Sequence, residues 1–230
     1  MKTMKSWMFA AILLCGTSMS AQAQDSDDYY QTKDEFAVTI GNGTTTQFLN
    51  VFSNLFGVMG EALITGTISG GQFIGYTTYE NEKNIPPVSV EYFHHTNKVV
   101  SFGAIVGFSG MSQDMYCNFQ RSGSYTSTKE KVGSGHKYYI TVMPAAKFDW
   151  LRKKNYGLYS KVAVGATLMI EKEKQDVNGE KKTVHDDTDL MFNLQASLIG
   201  IEAGSQNFRG FAELGFGEQG LIVAGLRYKF

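Results

Sequence analysis

The sequence predicts an exported all-β chain that closes into an eight-stranded antiparallel up-and-down transmembrane β-barrel, with a short amphipathic helix in the first outer loop. Three observations carry this expectation. The N-terminus has the parts of a secretory signal. The remainder is a series of alternating segments rich in glycine and aromatic residues. The chain ends on an alternating strand whose last residue is Phe230.

Lys2 and Lys5 precede an apolar run from Trp7 to Leu14, and the segment closes on Ala21-Gln22-Ala23. A charged start, a short apolar core and a small-residue exit make a signal peptide over residues 1–23. The run is too short for a helix spanning ~20 residues. Cys15 follows the bulky Ile12-Leu13-Leu14, which argues against lipidation there. Residues 24–34 then form a periplasmic N-terminal segment, and residues 35–230 form the barrel. The mature part retains a single cysteine, Cys117, so no intramolecular disulfide is expected.

Without Lys2 and Lys5 the chain carries about three more acidic than basic residues, which excludes a strongly basic surface and nucleic acid as a partner. No later apolar run is long enough for a transmembrane helix. Mean hydropathy is −0.19, which a barrel tolerates because half of each strand faces a polar interior.

The strands follow in order. Glu35–Gly41 sets Phe36, Val38 and Ile40 on one face. In Val88–His94, Val88, Val90 and Tyr92 oppose Ser89, Glu91 and Phe93. After a turn at Thr96–Lys98, Val99–Ser109 points Val100, Phe102, Ala104, Val106 and Phe108 outward. Tyr138–Trp150 sets Ile140, Val142, Ala146 and Phe148 against Thr141, Lys147 and Asp149, with a bulge or local break expected at Pro144. Tyr156–Ile170, Leu190–Ile201, Arg209–Phe216 and Leu221–Phe230 alternate in the same way. Short connections at Thr96–Lys98, Leu151–Asn155 and Gly204–Phe208 alternate with long ones at Asn42–Pro87, Gly110–Lys137 and Glu171–Thr188. Short periplasmic turns and long outer loops are the barrel pattern.

A soluble eight-stranded barrel would hide apolar side chains inside. Here the polar face carries Glu91, Lys147, Asp149, Lys161, Glu213 and Arg227, charges of both signs that fit a narrow lumen where they pair. Glu213 and Arg227 lie on consecutive strands and are expected to pair and lock the closing seam. Tyr228 and Phe230 form the terminal signal for the barrel assembly machinery. Outer-membrane lipid surrounds the closed barrel, which has no free edge and is expected to be a monomer.

Phe48–Ile64 departs from alternation. Phe48, Val51, Phe52, Leu55, Phe56 and Met59 recur at three- and four-residue steps, an amphipathic helical face. It is expected to pack on the barrel rim or lie on the membrane surface.

Little else suggests chemistry. Gly215–Gly220 matches GxGxxG but precedes a strand, so it reads as a hairpin turn. His94 and His95 are adjacent in a strand and point to opposite faces. His136 and His185 stand in polar stretches. No metal or cofactor is expected. Ser122, Ser124, Ser127, Ser134 and His136 supply the parts of an acyl-chain enzyme without a motif that selects one.

Ala145–Lys154, Leu158–Val162 and Phe211–Gly217 continuing to Phe230 resemble a family of small outer-membrane β-barrel proteins of the Bacteroides group. The resemblance runs from about Asp34 to the end. It implies fold and address and assigns no activity to any residue. The expectation for function is a non-enzymatic barrel with a charge-plugged lumen, acting as a surface structural or interaction protein whose outer loops meet an extracellular partner. A narrow channel for small solutes and an acyl-chain enzyme are the alternatives.

Overall fold

The computed structural model describes residues 32–69, 72–121, 127–177 and 180–230. The signal-peptide reading, Cys15 and residues 24–31 lie outside the described residues. Eight antiparallel strands close in sequence order: β1 Asp34–Asn42, β2 Phe73–His95, β3 Val100–Arg121, β4 Ser127–Arg152, β5 Tyr156–Val177, β6 Glu180–Gly204, β7 Phe208–Gly217 and β8 Ile222–Lys229. One helix, α1 Thr45–Ile68, lies between β1 and β2. The closing seam is β1 against β8, with Glu35 opposite Lys229 and Ala37 opposite Arg227.

The barrel turns its apolar residues outward. Val38, Val90, Val106, Val142, Val164 and Leu226 are all exposed. Aromatic residues flank this belt. Phe108, Tyr138, Phe192 and Phe216 stand at the outer end, and Tyr92, Tyr156, Phe208, Tyr228 and Phe230 at the end where the short turns lie. Phe108 stacks on Tyr138 at 6.2 Å, and Tyr228 on Phe230 at 5.8 Å. An apolar outside, a polar inside and two aromatic girdles are the exterior of an outer-membrane barrel. Water would penalise this surface, whereas a lipid environment matches it. Closure also pairs the backbone groups that lipid cannot satisfy.

The alternation expected for the belt is the alternation observed. Val88, Val90 and Tyr92 are exposed while Ser89, Glu91 and Phe93 are buried. At Pro144 the outcome is a local break without a bulge. The β4–β5 ladder omits Met143 and Pro144, yet the register is the same on both sides of the gap. Proline has no N–H to donate, so the ladder loses a rung but the strand stays in phase.

The long outer connections need correction. Residues assigned to loops at 110–137 and 171–188 are mostly strand: β3 pairs with β4 out to Gln120–Ser127, and β5 with β6 out to Val177–Glu180. Five strands, β2 to β6, therefore continue beyond the belt as a paired sheet. Both faces of this extension meet polar surroundings, so the apolar alternation that reveals a strand in the belt is missing there. The first connection holds α1, which extends the expected 48–64 helix at both ends.

Candidate functional site: a filled lumen and an outer sheet

Two features stand out: the lumen of the barrel and the sheet outside it. The lumen is filled. Glu91, Lys147, Asp149, Lys161, Glu213 and Arg227 all point inward and are at most 1% exposed. The structure brings these six together and adds Glu35, His95, Arg152, Glu202, Arg209 and Lys229, also buried.

The contacts run continuously. Lys161 Nζ donates to Glu91 at 2.6 Å and to Glu213 at 3.0 Å. Glu213 also accepts from Tyr159 Oη at 2.7 Å and Ser197 Oγ at 2.6 Å. Glu202 accepts from Arg209 and Arg227, each at 2.7 Å, and from Lys229 Nζ. Lys147 bridges Glu35 at 2.6 Å and Asp149 at 3.3 Å. The Arg227 guanidinium lies over the Phe211 ring at 4.3 Å and the Tyr159 ring at 4.7 Å. An isolated ion here would cost several kcal/mol, so the charges persist only as a mutually compensating set. Their signs nearly balance, which is the condition for burying so many.

Glu213 and Arg227 approach to 4.0 Å, but each has nearer partners. The reason is register. Arg227 stands opposite Arg209 on β7, and Glu213 opposite Val223 on β8, so the two are four positions out of step. Arg227's nearest carboxylate is Glu202. The seam itself is bridged by Glu35, 3.6 Å from both Lys229 and Arg227.

Glu202 was missed for a specific reason. Leu198 and Ile199 are both exposed, and the β6–β7 register shifts between Ser197 and Ile199. A bulge adds one residue and inverts the faces beyond it. Continuous alternation from Leu190 places Glu202 on the lipid face; after the bulge it enters the lumen. The bulge also turns Gly200 inward, and the Tyr159 ring lies against it, 2.4 Å from where a Cβ would stand. Glu35 and Arg209 are the second residues of β1 and β7, where alternation alone gives a weak signal, whereas Lys229, the last residue of β8, shares the inward face that alternation gives Arg227.

The β7–β8 turn closes the outer end of the lumen. Gln219 Nε2 reaches down to Glu91 at 2.8 Å and Ser89 at 3.1 Å, and the Gln219 N–H donates to Gln195 at 2.8 Å. Below this turn a void of about 10 Å³ remains, room for one water. The GxGxxG segment is thus the hairpin its sequence context implied.

A serine–histidine–carboxylate arrangement occurs inside the plug. Ser101 Oγ is 2.5 Å from His95 Nδ1, and His95 Nε2 is 3.2 Å from Glu35. Ser101 is completely buried, and Arg152 also contacts His95 Nδ1 at 3.1 Å. These residues lie within the buried ion-pair set of the lumen, where Glu35 also contacts Lys147 at 2.6 Å. His94 lies outside and bonds Asp34 at 2.9 Å. His136 lies in β4 opposite Ser112 and Lys172, not in a serine-rich loop. Ser122 and Ser124 lie outside the described residues, as do the side chains of Ser127 and His185. Among the described residues, no cluster of three or more metal-ligating side chains occurs.

Outside the belt, α1 stands along the β2 edge. Glu61 Oε2 accepts the Thr77 N–H at 2.5 Å, and Thr65 Oγ1 donates to the Gly75 carbonyl at 2.9 Å. Phe56 and Met59 are exposed, at 67% and 54%. In its described part the helix thus meets the sheet through the polar side chains of Glu61 and Thr65. The side chains of Phe48, Val51, Phe52 and Leu55 lie outside the described residues. Where β3 and β4 run together above the belt, Lys131 pairs with Asp114 at 2.7 Å. Hydrogen bonds from Lys131 and Asn81 hold the Asp114 carboxyl below its ordinary range, and the same contact raises Lys131.

No protein-family model matches the chain, and no curated protein matches it. Among solved structures, Ail, the attachment invasion locus protein of Yersinia pestis, is 14% identical over 87% of this chain and 100% of its own, with a TM-score of 0.38. The same protein in complex with the heparin analogue sucrose octasulfate gives 14% identity, 86% and 99% coverage and a TM-score of 0.37. The translocator domain of the autotransporter NalP from Neisseria meningitidis is 9% identical over 98% of each chain, with a TM-score of 0.28.

Proposed function

We propose that this protein is a sealed, non-enzymatic barrel of the bacterial outer membrane that presents an extracellular sheet as a structural or interaction surface. The observation that carries the reading is the lumen: ionic side chains that are at most 2% exposed occupy it from Arg209 and Lys229 up to Glu91. An eight-stranded barrel has an interior just wide enough for its own side chains. A filled lumen moves no solute, and a buried histidine serves no substrate. What remains accessible is the sheet beyond the belt and the helix along its edge. Residues 1–23 act as a cleaved signal, Tyr228 and Phe230 as the assembly signal, and the chain is a monomer in lipid. The likeness of Ala145–Lys154 and Phe211–Phe230 to the small barrels of the Bacteroides group agrees with this address.

The test is ion and solute flux through the mature protein in liposomes, with lysine labelling of intact cells. Flux equal to that of empty vesicles and labelling of Lys129 and Lys131 are expected. Flux above empty vesicles overturns the sealed reading in favour of a narrow channel. Failure to label the outer lysines removes the surface role.

A further inference from the structure

The outer sheet has two edges, and they are not alike. Its β2 edge is guarded. Glu61 and Thr65 of α1 occupy the Thr77 N–H and the Gly75 carbonyl, and farther down Pro86 and Pro87 have no N–H to offer. Its β6 edge has no such cover among the described residues. β7 stops at Gly217, which pairs with Gln195, so from Glu180 to Leu194 β6 is laddered to β5 alone. The Leu194 carbonyl accepts from the Glu218 N–H at 3.1 Å on the β7 side, so the even-numbered residues from Asp186 to Phe192, short of the register shift at His185, turn their backbone groups toward the open side. Thr188 turns its N–H to this side, where only the side chain of its own neighbour Asp187 accepts it, at 2.8 Å, a local bond that an added strand replaces.

We infer that the β6 edge is a docking strand for an extended, basic polypeptide segment, added antiparallel or parallel by main-chain hydrogen bonds. This rests on the surface role proposed above and names its partner. Strand addition supplies affinity through the backbone and selectivity through the side chains that face each other across the new ladder. Those on β6 are Asp186, Asp187 and Asp189, all exposed, followed toward the membrane by Leu190 and Phe192, 74% and 75% exposed. Lys172 stands 3.7 Å from Asp186; Asp187 and Asp189 add negative charge beside it. Opposite charges facing each other across strands stabilise the pair and like charges repel. The fitting segment therefore carries lysine or arginine opposite the aspartates and an apolar residue opposite Leu190 and Phe192. A second copy is disfavoured by the same rule. Two-fold pairing of β6 with itself about this stretch sets Asp187 against Asp187, a repulsion at the centre of the interface.

The experiment uses the mature protein in lipid nanodiscs and three fluorescein-labelled twelve-residue peptides, read by anisotropy. One alternates lysine and valine, one is its copy with alternate backbone nitrogens methylated along one edge, and one alternates glutamate and valine. The lysine peptide is expected to bind, and the methylated and glutamate peptides to bind at least about tenfold more weakly. Thr188→Pro, which removes an edge donor, is expected to weaken the lysine peptide by a similar factor while heat-modifiability stays that of the wild type. Should that variant fail to fold, the methylated peptide against wild-type protein decides the matter. Equal binding of the methylated or glutamate peptide overturns the proposal, as does a dimer that Thr188→Pro disperses. Absence of binding by all three peptides overturns the edge site and leaves the sealed barrel standing. Ion flux overturns the sealed barrel without touching the edge.

Discussion

Glu202→Ala tests the plug at its most connected point. The Glu202 carboxylate is buried and accepts from Arg209, Arg227 and Lys229. Removing one partner of a buried ion pair costs about 3–5 kcal/mol, because the other charge is left uncompensated. Three cations lose a partner here, but none is left alone. Arg209 keeps the carbonyls of Lys153 and Lys154 at 2.8 Å, and Arg227 and Lys229 keep Glu35 at 3.6 Å. The expected loss is therefore near the lower end, about 3 kcal/mol, a factor of roughly 150 in the folded population. Glu213→Ala should cost less, because Lys161 retains Glu91 at 2.6 Å. Urea unfolding in lipid vesicles, followed by fluorescence of Trp150, measures both. With residues 1–23 cleaved, as proposed above, Trp7 is absent and Trp150 alone reports. A folded Glu202→Ala barrel losing less than about 1 kcal/mol would refute the argument that Glu202 holds the plug, and so would a larger loss for Glu213→Ala.

Two further outcomes follow from particular contacts. Gly200→Ala drives a methyl into the Tyr159 ring and pulls the Tyr159 hydroxyl from Glu213. A loss of about 1–3 kcal/mol is expected for such overpacking, and an unchanged unfolding midpoint would count against the close fit. The Asp114–Lys131 pair should hold across neutral pH. Asp114 is depressed, so its contribution is complete above the ordinary aspartate value of about 3.9 and fades only as pH falls through the lower folded value. Lys131 is raised, so its contribution is complete below the ordinary lysine value and fades as pH rises beyond it. A carbon-detected NMR titration should place the Asp114 midpoint below 3.9, and Lys131→Ala should move it upward. An unmoved midpoint would dismiss the pairing.

The amino-acid order alone determined the belt. Val38, Val90, Val106, Val142 and Leu226 alternate with inward residues because a two-sided environment, lipid outside and a packed lumen inside, demands period two. The same logic identified Lys147, Lys161, Glu213 and Arg227 as inward charges. Three things needed the tertiary structure. The outer strands were illegible because polar surroundings on both faces leave no periodic signal. Glu202 was hidden by the bulge at Leu198 and Ile199, one extra residue whose effect on phase appears only when β6 is laid against β7. Ion-pair partners were hidden because a lumen brings together side chains from strands far apart in sequence. Lys161 meets Glu91 across 70 positions. Arg227 finds Glu202 instead of Glu213 because ladder register, not adjacency along the chain, sets which charges share a level.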